Sequence, residues 1–140
     1  MSESNTNHIL FFVPDNDNQG LGNVWKGMMG ECTQEQAFEL LDTFYDLGGN
    51  FIDTANMYQF GQSEQWIGEW MIKTGRRSEI VLATKYTLNV MATEPVQQSN
   101  WGGTGTKSMV MSLHLSLKNL QTNYIDIVSC GAYIMELQVI

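Results

Sequence analysis

Apolar residues fall along this chain in alternating rhythms. From Thr33 they recur every three or four positions, at Ala37, Leu40, Leu41, Phe44 and Leu47, which predicts a helix with those residues buried. Thr33 and Gln36 have the spacing of a capping box, and Gly48-Gly49 should end the helix. NFIDTA (50–55) then reads as a short buried strand. Ser63 predicts the cap of a second helix that turns Trp66, Ile67, Trp70 and Met71 inward and closes at Gly75. EIVLATKY (79–86) is a second strand, followed by a long loop over about 87–104. A third helix from about Thr106 should bury Met109, Val110, Leu113, Leu117 and Leu120, and YIDIVS (124–129) is the last clear strand. Upstream, residues 1–20 are polar and irregular apart from the apolar run Ile9–Val13, which Pro14 and DNDNQG stop.

Helices and strands alternating over short connections predict a parallel α/β sheet. The continuous apolar strands predict a sheet covered on both faces. An open doubly wound sheet and a piece of a (β/α)8 barrel both satisfy the pattern. It does not choose between them.

Composition narrows the partners. The chain has 140 residues, 43% hydrophobic and 16% charged, which suits one globular domain. Fifteen acidic against seven basic residues give a net charge of −8. That argues against nucleic acid or an anionic membrane, both of which reward clustered lysine and arginine. Two cysteines, Cys32 and Cys130, with two distant histidines make neither a disulfide framework nor a metal cluster. No long apolar segment suggests a signal or a membrane span, so the expected setting is the cytoplasm.

In parallel α/β folds the chemistry gathers at the carboxyl ends of the strands. Asp53 lies near one such end, Tyr58 in the loop after it, and Lys85 at the end of the next strand. An ammonium beside a phenol stabilises the phenolate, and a carboxylate beside the ammonium keeps it charged and aimed. Together they can make a tyrosine a workable general acid near neutral pH. Each residue alone has a plainer reading, as turn residue, surface aromatic or solvated lysine; the combination outweighs it. Two other features carry less. WGGTGTKS (101–108) has Thr106 where a P-loop needs glycine before the lysine, so it reads as a loop before a helix. Cys32 precedes a helix, where a thiol pKa can be lowered, yet an incidental thiol is the simpler reading.

GGNFIDTANMY, the G-x-SE turn, IGEWM, EIVLATKY and LKNLQTNYIDI together resemble the amino-terminal half of the aldo-keto reductases. The likeness is to the fungal branch of aryl-alcohol dehydrogenases and norsolorinic acid reductases, and it runs from about Asn23 to Ile127. It implies an α/β fold, a partial (β/α)8 TIM barrel of roughly the first four strand-helix units. It also implies an NADP(H)-dependent oxidoreductase acting on small aldehydes, ketones or aryl alcohols. Asp53, Tyr58 and Lys85 match three members of the family's catalytic tetrad; Tyr58 would give the proton, Lys85 would tune it, and Asp53 would pair with Lys85 near the nicotinamide ribose. No metal site is implied.

Both ends depart from the pattern. The tetrad histidine aligns with Gly131, and neither His8 nor His114 lies where it could replace it. The expected division is a divergent irregular segment 1–22, a half-barrel 23–128 and a divergent apolar tail 129–140. A complete barrel takes about 250 residues, so truncation, and with it loss of activity, is expected. The alternative is a non-catalytic remnant or interaction module that keeps the half-barrel and self-associates through open sheet edges.

Overall fold

The computed structural model describes residues 10–12, 21–29 and 32–131. Four strands form one parallel sheet: β1 (Leu10–Phe12), β2 (Phe51–Asp53), β3 (Val81–Tyr86) and β4 (Ile127–Cys130). Between them run α1 (Lys26–Met29), α2 (Gln34–Asp46), α3 (Gln62–Thr74) and α4 (Thr106–Asn119). The strands lie in sequence order, β1-β2-β3-β4, all parallel. A doubly wound sheet reverses its order at a switch point, whereas a barrel adds each strand beside the last. The order settles what the pattern left open: this is an open, partial (β/α)8 barrel. The apolar run within the segment 1–22, expected to be irregular, supplies β1; Ile9 and Val13, and residues 132–140 of the expected tail 129–140, lie outside the described residues.

The core sits between the sheet and its helices. Ile52 and Leu82 from the strands meet Ala37, Leu41 and Phe44 of α2 and Trp66, Ile67, Trp70 and Met71 of α3. Thr33 and Gln36 form the expected capping box. Only the helical face is closed in this way. Along β2 and β3, Ile52, Leu82 and Thr84 are buried on the helical face, while on the other face Ala83 is buried and Phe51, Asp53, Val81 and Lys85 are partly open. The expectation of two covered faces therefore fails among the described residues: the second face is the barrel interior, which only strands across the barrel could cover.

Two helices differ from their sequence reading. Ser63 does not cap α3. Gly61 takes that place in a left-handed conformation, φ +90°, while the buried Ser63 hydroxyl donates to the Leu21 carbonyl at 2.5 Å. On α4 the buried side chains are Ser108, Ser112, Ser116 and Leu120, with Met109 and Val110 exposed. At the end of α4 the backbones close in: a Cβ on Gly68 of α3 would stand 2.6 Å from the Leu120 carbonyl carbon. Leu40 and Leu47 flank the buried stripe of α2 and are exposed.

At the amino ends of the strands Asp126 accepts from the Leu82 amide and from Arg77, both at 2.8 Å. Partial burial works to raise its pKa, but the Leu82 amide and the Arg77 guanidinium outweigh it and hold the carboxyl below its ordinary value.

Candidate functional site

The site begins with register. Asp53 pairs with Ala83 across the parallel ladder, so Lys85, two residues on, points to the same face one step nearer the mouth. The ladder continues past the strand end, with the Asn56 amide donating to the Lys85 carbonyl at 3.1 Å. That carries the chain over Lys85 into the short 3₁₀ segment Tyr58–Gly61.

Three side chains meet there. Lys85 Nζ donates to Asp53 Oδ2 at 2.5 Å and to the Thr54 carbonyl at 3.1 Å. The same nitrogen stands 5.5 Å from the centroid of the Tyr58 ring. The ion pair is well shielded, with side-chain exposures of 11% and 12%. Water screens such a pair little, so removing either partner leaves a costly unpaired charge. All three residues picked from the sequence are thus brought together. Gly131 belongs to the same mouth, since a Cβ on it would lie 3.5 Å from Lys85 Cβ. His114, by contrast, is exposed on α4. Cys32 is buried, and burial pushes its thiol pKa up despite a hydrogen bond to the Gly22 backbone; the lowered value conceivable from its place before a helix does not arise.

The comparisons with known proteins bear on this geometry. A family model described as the Aldo/keto reductase family matches residues 19–138. The chain belongs to the aldo/keto reductase family. An aryl-alcohol dehydrogenase of Pestalotiopsis microspora is 65% identical over 119 residues, 84% of this chain and 31% of that protein. A norsolorinic acid reductase of Aspergillus flavus is 55% identical over 107 residues, 76% of this chain and 28% of that protein. Among solved structures, an aldo-keto reductase of Klebsiella pneumoniae in complex with NADPH matches with TM-score 0.54 and 29% identity, over 68% of this chain and 28% of that one. The holo form of an aldo-keto reductase from Bacillus halodurans gives TM-score 0.58 and 30% identity, over 76% and 35%. The chain spans about a third of the length of the two relatives named here. The family match is wider than the stretch from Asn23 to Ile127 and includes Gly131.

The donor set of this aldo/keto reductase chain fits one end of a nicotinamide cofactor. Asp53, Lys85 and Tyr58 offer charge and a phenol at the mouth, where the reacting ring and its ribose would lie. The phosphates find less. The two arginines, Arg76 and Arg77, lie between α3 and β3 at the opposite end of the strands, tied to Asp42 and Asp126 at 2.8 Å each.

One buried acid was not singled out from the sequence, although the G-x-SE turn contains it. Glu64 in the first turn of α3 is fully buried and accepts from Thr84 Oγ1 at 2.8 Å and Asn119 Nδ2 at 3.1 Å. Burial raises its pKa, and the hydrogen bonds from Asn119 and Thr84, with the Ser116 hydroxyl nearby, offset this only in part. A folded-state pKa above the unfolded value favours folding below the unfolded pKa, and that advantage is lost as pH rises through the folded one. Glu64→Gln should therefore raise the urea midpoint at pH 7, with Asn119 turning its amide to present oxygen, and the gain should vanish in acid. A lower midpoint at pH 7 would count against this assignment.

Proposed function

We propose that this chain carries the proton-donor side of an NADP(H)-dependent carbonyl reductase site. The substrates in this reading are small aldehydes and ketones or, in reverse, aryl alcohols, as the names of the fungal relatives suggest. One observation carries it: the shielded Asp53–Lys85 ion pair lies against the Tyr58 ring at a strand mouth. Lys85 would favour the phenolate, so Tyr58 can give its proton to an alkoxide as it develops and take it back in the oxidative direction. Asp53 and the Thr54 carbonyl aim the ammonium, and Asp53 is also the residue that would face the ribose. NADP(H), when bound, supplies or accepts the hydride. The free thiols of Cys32 and Cys130 fit a reducing, cytoplasmic setting.

The test is a titration of NADPH fluorescence against the purified chain, followed by NADPH consumption with an aromatic aldehyde. On this reading saturable binding and aldehyde-dependent consumption follow, against the loss of activity that the divergent ends of the sequence lead one to expect. Absence of both would remove the proposal.

A second reading, a non-catalytic interaction module, is favoured by β4. It is an edge strand among the described residues, with Ile127 44% and Val128 37% exposed, and unpaired edges invite association. Gly131 at the tetrad position points the same way. On that reading sedimentation at micromolar concentration gives a dimer or larger species, and a compact monomer contradicts it.

A further inference from the structure

Tyr58 is followed by a turn the backbone does not favour. Gln59 (φ +53°, ψ +34°) and Phe60 (φ +53°, ψ +41°) are successive left-handed residues, and neither is glycine. An L-residue in this form brings its Cβ close to the following carbonyl oxygen, which the right-handed form avoids. A conformation of this kind persists only where its surroundings hold it, and it is found most often at functional sites.

The holding contacts all come from one short stretch. Gln59 is only 2% exposed, and its Oε1 accepts the Trp25 amide at 2.7 Å. Phe60 packs edge-on against the Trp25 ring, centroids 5.5 Å apart. Gln62 Oε1 accepts the Asn23 amide at 2.7 Å, and its Nε2 donates to Asn23 Oδ1 at 3.1 Å. Ser63 donates to the Leu21 carbonyl. Gly22 makes the approach possible: a Cβ there would fall 2.4 Å from Gln59 Cγ, and its φ of +147° suits glycine. Residues 59–63 and 21–25 are therefore clamped face to face over their whole length.

We propose that Gln59 is a positioning residue for Tyr58. By accepting the Trp25 amide it locks the left-handed turn, so the placement of the phenol is set by the segment 21–25 as well as by β2. The claim rests on the reductase reading only in naming Tyr58 the proton donor. A ligand seated against Trp25 would then act on Tyr58 through this clamp, without touching it. Packing alone predicts otherwise: a residue that merely fills space could be replaced by one of equal volume without consequence for Tyr58.

Two variants separate these. Gln59→Met keeps the volume and deletes the acceptor. Gln59→Gly deletes the clamp but tolerates the left-handed turn, so it keeps the fold within reach. The readouts are amide exchange at Trp25 and the ring signal of Tyr58 in tyrosine-labelled protein, assigned by its loss in Tyr58→Phe and followed against pH. In both variants Trp25 should exchange roughly tenfold faster, the equivalent of one lost hydrogen bond. The Tyr58 signal should move, and its pH profile should change with it. Signals of Tyr45, Tyr86 and Tyr124 should stay in place and report the fold. A Tyr58 signal and titration unchanged in both variants, with Trp25 exchange accelerated, would overturn the proposal. None of these readouts needs turnover, so a chain that fails to consume NADPH sinks the reductase reading and leaves this one standing or falling on its own.

Discussion

Tyr58→Phe is expected to lower NADPH-dependent reduction of an aromatic aldehyde by about 10²–10⁴-fold, the usual contribution of a positioned acid. The substitution keeps the ring, and with it the contact to Lys85 Nζ 5.5 Å from the centroid. Only the hydroxyl goes, and with it the proton. Lys85→Met should be comparably severe for two reasons. The phenol loses the cation beside it, and the 12%-exposed Asp53 carboxylate loses its partner. The two variants differ in a way that can be measured. Tyr58→Phe keeps the Asp53–Lys85 ion pair, whereas Lys85→Met breaks it and should also lose stability. Full activity in Tyr58→Phe would mean that another group gives the proton, and the trio would lose its assigned chemistry.

Trp70→Ala should destabilise the chain by about 3–5 kcal/mol, the range for deleting a large aromatic from a packed core. Domains of this size are typically stable by about 5–15 kcal/mol, so the variant should lose roughly a fifth or more of that margin. Trp70 is fully buried on α3 and joins that helix to α2. Its Nε1 donates to Asp42 Oδ1 at 3.0 Å, the oxygen that also takes Arg76 at 2.8 Å. Tyr45 stands edge-on at 6.5 Å, and the Arg76 guanidinium lies 5.6 Å from the ring. Removing the indole opens a cavity and loosens this polar group together. Urea denaturation measures the loss, with Met109→Ala on the exposed side of α4 as a near-neutral comparison. A loss below about 1 kcal/mol would show that the α2–α3 contact is not the centre of the core.

The aldo/keto reductase trio was legible because its members are spaced by strand geometry. Asp53 and Lys85 sit at the ends of adjacent parallel strands, and parallel strands point all such ends at one mouth. Motif and register then agree, and the 2.5 Å ion pair follows. The support around the trio was not legible. Gln59 and Gly22 lie 37 residues apart, and nothing in either local sequence announces that a Cβ on one would collide with the other.

The sequence by itself determined the order of elements from Thr33 onward, the capping box at Thr33, the inward face of α3 and the gathering of Asp53, Tyr58 and Lys85 at one strand mouth. Those depend on periodicity and on neighbours within one turn or one strand, which local sequence encodes. Only the tertiary structure decided the barrel-type strand order, because periodicity says which face is buried and not which strand stands beside which. It also decided which side of α4 is buried. Hydrophobicity favoured Met109, Leu113 and Leu117, but the buried side is the small face of Ser108, Ser112 and Ser116, and the end of α4 closes on α3 at Gly68. The start of α3 passed from Ser63 to Gly61 for a similar reason: the Ser63 hydroxyl had a buried carbonyl to satisfy at Leu21, and a buried polar atom takes the partner that distance allows.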